Sequence, residues 1–248
     1  MIIDSFDTSE PIVKLEYFYG KRGHILDKCL ILLSHEIFDY LCSKCNLRQI
    51  GLIGDSSYKI PIYAFDYKNE TIGVYLSPMG SVLCAGDMAE CAHITGASKF
   101  VMFGSCGTLD KKITKGKFVI PTEAYRDEGT SYHYMPPSDF IKINNAEKVE
   151  SIFKKLKIPF AKGKTWTTDA ILMETVNKVK KRKEAGCIVV EMELAACQAV
   201  ANYYQLELYD FLQPGDVLLE GDYDKSPLHN ANHDLVKLEI GLKIIEEI

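Results

Sequence analysis

Apolar residues along the chain fall into short buried runs that alternate with longer stretches of helical periodicity. The short runs predict strands at 29–34, 99–107, 115–126, 161–170, 187–190 and 206–212, and a pair of strands joined at 68–70. Helical spacing predicts helices at 35–45, 81–97, 144–156, 174–186 and 192–204, and in the last twenty residues. Ser81 has the residue type expected for the cap of the second of these helices.

Strands that alternate with helices predict an α/β sandwich with a largely parallel or mixed central sheet. The sequence has no linker, repeat or low-complexity stretch, so we expect one domain over residues 1–248. Ligands of such folds bind where the carboxyl ends of strands meet helix N-termini. Polar residues follow the predicted strands in "SPMGS" (77–81), "GSCGT" (104–108), "TTDA" (167–170), "EME" (191–193) and "PGD" (214–216).

Composition narrows the class of protein. Of the 248 residues, 47% are hydrophobic and 25% are charged, and the net charge of −5 is dispersed, which argues against a nucleic-acid partner. The one basic run, 178–183, is expected to be a solvated helix face. No apolar stretch reaches the roughly 18 residues of a membrane span, and most of the eight cysteines stand in apolar segments. We therefore expect a cytoplasmic protein with no membrane partner.

Two short patterns raise the question of a metal. Cys42 and Cys45 form a single CxxC with no second cysteine or histidine pair, and His229 and His233 have i, i+4 spacing with no acid or cysteine motif beside them in the sequence. We expect no metal site, and we expect the two histidines to be surface residues.

The polar strand ends also carry a family resemblance. "FGSCGTL", "RDEGTSYHYMPP", "KTWTTDA", "VVEMELAA" and "PGDVL", in this order and at these intervals, resemble the purine nucleoside and uridine phosphorylase family, whose relatives include the methylthioadenosine/S-adenosylhomocysteine nucleosidases. The resemblance implies a three-layer α/β/α sandwich around a mixed, partly barrel-like sheet. It also implies cleavage of the N-glycosidic bond of a nucleoside by phosphate or water, without a cofactor apart from phosphate as a possible co-substrate.

The resemblance assigns roles to the sugar side and the leaving-group side. Glu193 is expected to bind the ribose hydroxyls and Met192 to pack on the sugar, although Glu193 alternatively caps the helix that follows. Asp216 is the expected general acid that protonates a departing purine; the alternative is an ordinary turn aspartate after Pro214 and Gly215. The acid favours a purine, since the uridine-cleaving branch usually lacks it.

The base pocket is less sharply defined by the resemblance. Ile171, Val190 and Glu191 fall at positions expected to contact the base, and Glu191 alternatively serves the structure. Tyr132 and Tyr134 are an alternative source of an aromatic contact from a loop that closes the site.

The acceptor side departs from the family pattern. Gly104, Ser105 and Gly80 supply the remaining expected phosphate or water contacts, and Glu36 is a possible base for water. Met102 and Met173 stand where phosphorylases often carry arginines, and Phe18 stands near the place of a histidine given to the neighbouring subunit. Only Lys59 and Arg126 remain as possible replacements for the missing charge.

The sequence therefore predicts a nucleoside phosphorylase-family enzyme that cleaves a nucleoside, most simply a purine nucleoside, with phosphate or water. Two alternatives stay open, a uridine phosphorylase and a nucleoside-binding or regulatory protein with weakened catalysis. We expect a homo-oligomer, a dimer or a hexamer, in which segments 17–24 and 56–60 form contacts between subunits.

Overall fold

The structure is a computed structural model that describes residues 1–54, 57–219 and 222–248, so Ser56 of the expected contact segment lies outside the described residues. The described strands are β1 (Lys28–Leu32), β2 (Arg48–Ile53), β3 (Ile60–Tyr67), β4 (Glu70–Leu76), β5 (Lys99–Thr108), β6 (Phe118–Asp127), β7 (Phe140–Lys142), β8 (Phe160–Thr168), β9 (Cys187–Glu191), β10 (Glu207–Leu219) and β11 (Asp222–Asp224). The α-helices are α1 (Glu16–Tyr19), α2 (His35–Lys44), α3 (Ser81–Thr95), α4 (Lys111–Thr114), α5 (Ser131–Tyr134), α6 (Ala146–Leu156), α7 (Val176–Glu184), α8 (Leu194–Tyr204), α9 (Leu228–His233) and α10 (Val236–Glu247). Short 3₁₀ turns cover Ile2–Asp4 and Ile171–Met173.

All these strands belong to one mixed sheet with the order β11-β10-β6-β8-β9-β5-β1-β4-β3-β2, and β7 pairs with β6. A further pairing of β10 with β5 closes β5, β10, β6, β8 and β9 into a barrel. The α/β/α sandwich with a mixed, partly barrel-like sheet is thus confirmed. Strand β1 is a continuous apolar run because parallel neighbours, β4 and β5, flank it on both sides.

Three strands were missed by the sequence pattern, β2, β7 and β11. Strand β2 pairs only with β3 and most of its side chains are partly or fully exposed, so it carries no buried alternation of apolar residues. Strands β7 and β11 have three residues each, which is too short for a periodicity to show.

Strand β10 is longer than expected. The prediction of a strand at 206–212 was wrong at the C-terminal end, because the hydrogen bonds of the strand continue to Leu219. Its parallel register with β5 shifts between Pro214 and Val217, so Gly215 and Asp216 form a bulge inside the strand, and Pro214 and Gly215 are not a turn after it. A bulge redirects the side chains beside it, and Asp216 lies in this one.

Apolar side chains fill the space between the sheet and its helices. Phe211 of β10 stacks on Phe103 of β5 with ring centroids 5.5 Å apart, and Phe153 of α6 packs on it edge-on at 5.4 Å. Helices α3 and α8 pack on each other, and Cys84 and Cys197 meet between them with sulfurs 3.5 Å apart. All eight cysteines are free, and most are buried as expected.

The basic run 178–183 is a solvated face except for the buried Val179 and for Lys178 and Arg182, which both contact Asp127. Arg182 stacks over the ring of Tyr125, 3.7 Å from its centroid, and one guanidinium nitrogen lies 3.3 Å from a carboxylate oxygen of Asp127. Within the described ranges, none of the helices combines the length and the apolar character needed to cross a membrane.

Candidate active site

A cavity of about 420 Å³ opens where the carboxyl ends of β1, β5 and β9 meet the bulge of β10. Eight of the ten predicted site residues line it, namely Gly104, Ser105, Ile171, Val190, Glu191, Met192, Glu193 and Asp216. Gly80 and Glu36 do not line this cavity. The fold thus brings residues from four separate stretches of sequence to one place.

The two glutamates around Met192 have different hydrogen-bond partners. One carboxylate oxygen of Glu191 accepts the backbone N–H groups of Glu193 and Leu194, both at 2.7 Å, and the other accepts the hydroxyls of Thr165 and Thr167. Glu191 therefore caps α8 and ties it to β8, whereas Glu193 is the N-cap residue by position but makes no side-chain cap. The alternative that Glu193 caps the helix is wrong.

Glu193 instead faces the cavity. Its carboxylate accepts the backbone N–H of Gly80 at 2.7 Å and that of Met192 at 3.1 Å. Burial, and then the neighbouring charge of Glu191, raises the pKa of Glu193 to about 7. Burial also raises the pKa of Glu191, although its four donors act against this. With two N–H donors bound, the Glu193 carboxylate keeps free lone pairs for hydroxyl groups of a ligand.

Gly80 and Ser81 hold this arrangement at the start of α3. Gly80 is the N-cap residue with φ 108°, a conformation that suits glycine, so the prediction of Ser81 as the cap was wrong. The hydroxyl of Ser81 donates to the carbonyl of Met192 at 2.7 Å. Two helix starts, those of α3 and α8, are thereby locked together around the 191–193 segment.

Asp216 is buried at 7% exposure and projects from the bulge of β10. It lies against Gly107 of β5, where an added Cβ would be 3.4 Å from the carboxylate of Asp216 and 2.8 Å from side-chain carbons of Val190 and Leu218. An alanine at position 107 would therefore crowd the side chains that pack around Asp216.

Glu174, which sequence reasoning missed, joins Asp216 at the same end of the cavity. Burial, and then the charge of Asp216, raises the pKa of Glu174 to about 7. Burial, and then the hydrogen bond and charge of Asp216, raise the pKa of Tyr223 in β11 to about 12, so Tyr223 lies beside the Asp216 carboxylate. Glu174 stands four positions after Ala170 of the "TTDA" stretch and was predicted only as the first residue of the helix 174–186, which in the structure begins at Val176, so its one sequence signal is that proximity.

A further acid, Asp210 of β10, lies close to Glu191 and Glu193. Its side chain is 2% exposed, and neither carboxylate oxygen meets a donor among the described residues. Burial, followed by the charges of Glu191 and Glu193, raises its pKa well above the ordinary value.

The two tyrosines considered for contact with the base are held away from the cavity of their own chain. The hydroxyl of Tyr132 donates to the carbonyl of Arg126 at 3.1 Å, and Tyr134 packs edge-on against Tyr203 at 5.4 Å. Neither tyrosine lines the cavity. Ile171 does line it and is 46% exposed, so it remains the apolar contact at this end.

The acceptor end contains polar residues that were not predicted. Asn232 of α9 accepts a hydrogen bond from the hydroxyl of Ser105, and Ser34 lies beside them at the start of α2. Lys237 of α10 also lines the cavity; its ammonium group donates to the carbonyls of Ala231 and Asn232. Burial lowers the pKa of Lys237 to about 8. Asn232 and Lys237 follow Asp216 in a region where no motif marks them.

The other expected sources of charge lie elsewhere. Arg126 is 2% exposed and donates to Ser131, Pro136 and Ser138, and Lys59 is exposed; neither lines the cavity. Met102 does not line it either. Its side chain is buried, with its sulfur 3.8 Å from that of Cys84, so it belongs to the core and not to an anion site. Met173 is 56% exposed and also lies off the cavity.

His229 is exposed, as expected, whereas His233 is not a surface residue. His233 is half-buried and lines the cavity, and its Nε2 lies 3.7 Å from a carboxylate oxygen of Glu36. Helices α2 and α9 bring Glu36 to it from almost two hundred positions away in sequence, so the expectation that both histidines are surface residues was wrong for His233.

Comparison with known proteins agrees with this architecture. A family model described as the phosphorylase superfamily matches residues 47–225. A DeoD-type purine nucleoside phosphorylase of Alkaliphilus metalliredigens is 24% identical over 193 residues, which are 75% of this chain and 81% of the relative.

Two solved structures share the fold. The 5′-methylthioadenosine/S-adenosyl homocysteine nucleosidase of Campylobacter jejuni has a TM-score of 0.70 at 18% identity and covers 90% of this chain and 100% of its own. The purine nucleoside phosphorylase of Toxoplasma gondii, in complex with immucillin-H, has a TM-score of 0.71 at 16% identity, with 91% and 92% covered. The chain is thus similar to both hydrolytic and phosphorolytic enzymes, and it belongs to the phosphorylase superfamily.

Proposed function

We propose that the protein cleaves the N-glycosidic bond of a purine nucleoside. The observation that carries the proposal is that Glu193, Met192 and Asp216 line one cavity together with Ser105. A sugar-binding carboxylate and a buried acid on two sides of a single cavity are what such a reaction needs, because positive charge develops on the ribosyl group while the base leaves.

Glu193 is assigned to the sugar in this proposal. Its two backbone donors fix the carboxylate in the cavity and leave acceptor positions for two ribose hydroxyls. A pKa near 7 means that the group loses its proton readily when cationic character develops beside it. Met192 packs against the sugar from the same segment.

Asp216 is assigned to the leaving base. A carboxylic acid that transfers its proton to a purine nitrogen makes the base a neutral leaving group. Glu174 lines the same end of the cavity, and burial, followed by the charge of Asp216, raises its pKa to about 7, so near neutral pH it can hold a proton beside Asp216. We assign to Glu174 the supply of a proton to Asp216, which delivers it to the base.

Water is the acceptor that the cavity favours. Among the described residues that line it, Lys237 is the one lysine or arginine, and two of its three ammonium protons already bind backbone carbonyls. A phosphate ion brings between one and two negative charges and requires several strong donors in exchange for its water shell. Ser105, Asn232 and Ser34 offer neutral groups, which suit a water molecule better.

The test is an assay of base release by chromatography from adenosine, inosine, guanosine and uridine, in phosphate-free buffer and along a phosphate titration. We expect purine release without phosphate and a change of less than about twofold when phosphate is added. Release that requires phosphate and saturates with it would instead show a phosphorylase.

The same assay decides the remaining alternatives. Release from uridine alone would favour the uridine phosphorylase branch and contradict the role of Asp216. A protein that binds purine nucleosides by calorimetry but releases no base under any condition would be a binding or regulatory member of the family.

A further inference from the structure

Three potential metal ligands lie together beside the active-site cavity. Glu36 comes from α2, and His229 and His233 come from α9. One ligand atom of each residue lies within 4.8 Å of the ligand atoms of the other two. The two histidines are neighbours because i, i+4 spacing on a helix places both side chains on one face.

The orientation of His233 suits a ligand. Its Nδ1 lies 2.8 Å from the hydroxyl of Ser34, which also accepts the backbone N–H of Ile37 at 3.3 Å. With Nδ1 bound to Ser34, the other ring nitrogen, Nε2, points to the carboxylate of Glu36 at 3.7 Å. Metal-binding histidines usually have their second nitrogen held in this way, which fixes the ring and its tautomer.

We propose that Glu36, His229 and His233 form a binding site for a divalent transition-metal ion of the zinc class. Two imidazoles and one carboxylate are a common zinc ligand set, whereas magnesium and calcium prefer oxygen ligands alone. Ligands about 2.1 Å from a tetrahedral zinc are roughly 3.4 Å apart. The Nε2 of His233 is 3.7 Å from Glu36 and no pair in the set is more than 4.8 Å apart, so modest shifts of the exposed Glu36 and His229 side chains close the set.

Three protein ligands leave one tetrahedral position open. Because His233 also lines the cavity, the open position lies at the acceptor end, near Ser34 and Asn232. A bound ion would therefore hold a water molecule or an oxygen of an anionic group there. The site is a property of α2 and α9 and does not depend on whether the protein turns over nucleosides.

The experiment measures metal binding directly, without nucleoside. The protein is stripped with a chelator, and binding of Zn²⁺ is followed by calorimetry and that of Co²⁺ by its visible absorption. Cys42 and Cys45 are free and not fully buried, so the measurements use a C42S/C45S variant, in which a thiol site is removed.

We expect one ion per chain in that variant. His229→Ala and His233→Ala should each weaken binding by at least about tenfold, while His24→Ala and His133→Ala, which change exposed histidines elsewhere, should leave it unchanged. Thermal melts of the stripped proteins show whether each variant is folded.

The result that overturns the proposal is the absence of a bound ion in the folded C42S/C45S variant. Binding that survives His229→Ala and His233→Ala unchanged would overturn it equally. A preference for Mg²⁺ over Zn²⁺ would contradict the assigned class of metal.

Discussion

The carboxylate of Glu191 accepts the backbone N–H of Glu193 at 2.7 Å, so the first of two neighbouring acids holds the second in position. Glu191 has donors on both oxygens, whereas Glu193 turns its carboxylate to the cavity. Two acids that look alike in the sequence therefore have separable effects on stability and on binding.

Glu193→Gln and Glu191→Gln should separate those effects. The first removes a charged acceptor from the cavity, and we expect nucleoside affinity to fall by about 1.5–3 kcal/mol, roughly 10- to 100-fold, in a folded protein. The second replaces a carboxylate that accepts four hydrogen bonds with a neutral amide that has a single acceptor oxygen, and we expect a loss of about 1–3 kcal/mol in the free energy of unfolding. Calorimetric binding and chemical denaturation measure the two. Equal affinity of wild type and Glu193→Gln would make Glu193 structural.

Asp216→Asn should slow base release by about 10²- to 10⁴-fold and change nucleoside affinity by only a few-fold, because the amide cannot supply the proton. The matched control is Asp222→Asn, an exposed residue of the adjoining strand β11. Steady-state rates and equilibrium binding are measured on both variants. A variant at residue 216 that keeps the wild-type rate would exclude the proposed general acid.

Gly107→Ala should impair the site through packing alone. The added Cβ meets Val190 and Leu218 carbons at 2.8 Å, so it must displace them or the bulge that carries Asp216. We expect a loss of about 1–3 kcal/mol in stability together with slower base release.

Gly86→Ala is the control for that change. An added Cβ at Gly86, inside α3, meets nothing within 4 Å. We expect it to be neutral or to stabilise the fold by up to about 1 kcal/mol. If both alanine variants have the same melting temperature and the same rate of base release, the close approach of Gly107 to Asp216 does not contribute to function.

Glu174 gives a pH-dependent prediction. Its pKa rises from 4.5 to about 7 on folding, through burial and then Asp216, so the folded state binds its proton more tightly than the unfolded state does. The group supports folding below about pH 4.5, and this support is lost as pH rises through 7. Glu174→Gln keeps a neutral side chain at every pH, so its melting temperature relative to wild type should be higher at pH 8 than at pH 5. If the difference in melting temperature between Glu174→Gln and wild type is the same at pH 5 and pH 8, the raised pKa of Glu174 is contradicted.

The protein should be a homo-oligomer. Ile12, Val13, Tyr17 and Phe18 are all more than 60% exposed in the single chain, which gives the N-terminal segment an apolar surface. Light scattering at working concentrations should give a multiple of the 27.9 kDa chain mass, and a double change of Tyr17 and Phe18 to serine should reduce it. A monomeric wild type would refute this expectation.

Hydrophobic periodicity in the sequence predicted the buried strands and the long helices, and short motifs predicted part of the site. Strand β1 and helix α8 were found because their burial is continuous, and the residues 191–193 were found because they follow a buried strand directly. Strand β2 was missed because an exposed edge strand has no strong pattern.

The acceptor end could not be predicted for a different reason. Ser34, Asn232 and Lys237 meet only because α2, α9 and α10 fold onto the end of the barrel, and no local spacing encodes that meeting. Glu36 and His233 are a further example, since each appears ordinary within its own segment.

The closed barrel also has a kinetic consequence for the cavity it supports. Strand β10, which carries Asp216, is hydrogen-bonded to β5, β6 and β11, so its amide protons should exchange with deuterium only when much of the barrel opens. Helix α9 has six residues and lies outside the sheet, so its amides should exchange much earlier. The side of the cavity formed by β10 should therefore keep its structure longest. We expect the side where Asn232 and His233 lie to exchange earlier, so the two sides of one cavity should differ in local stability.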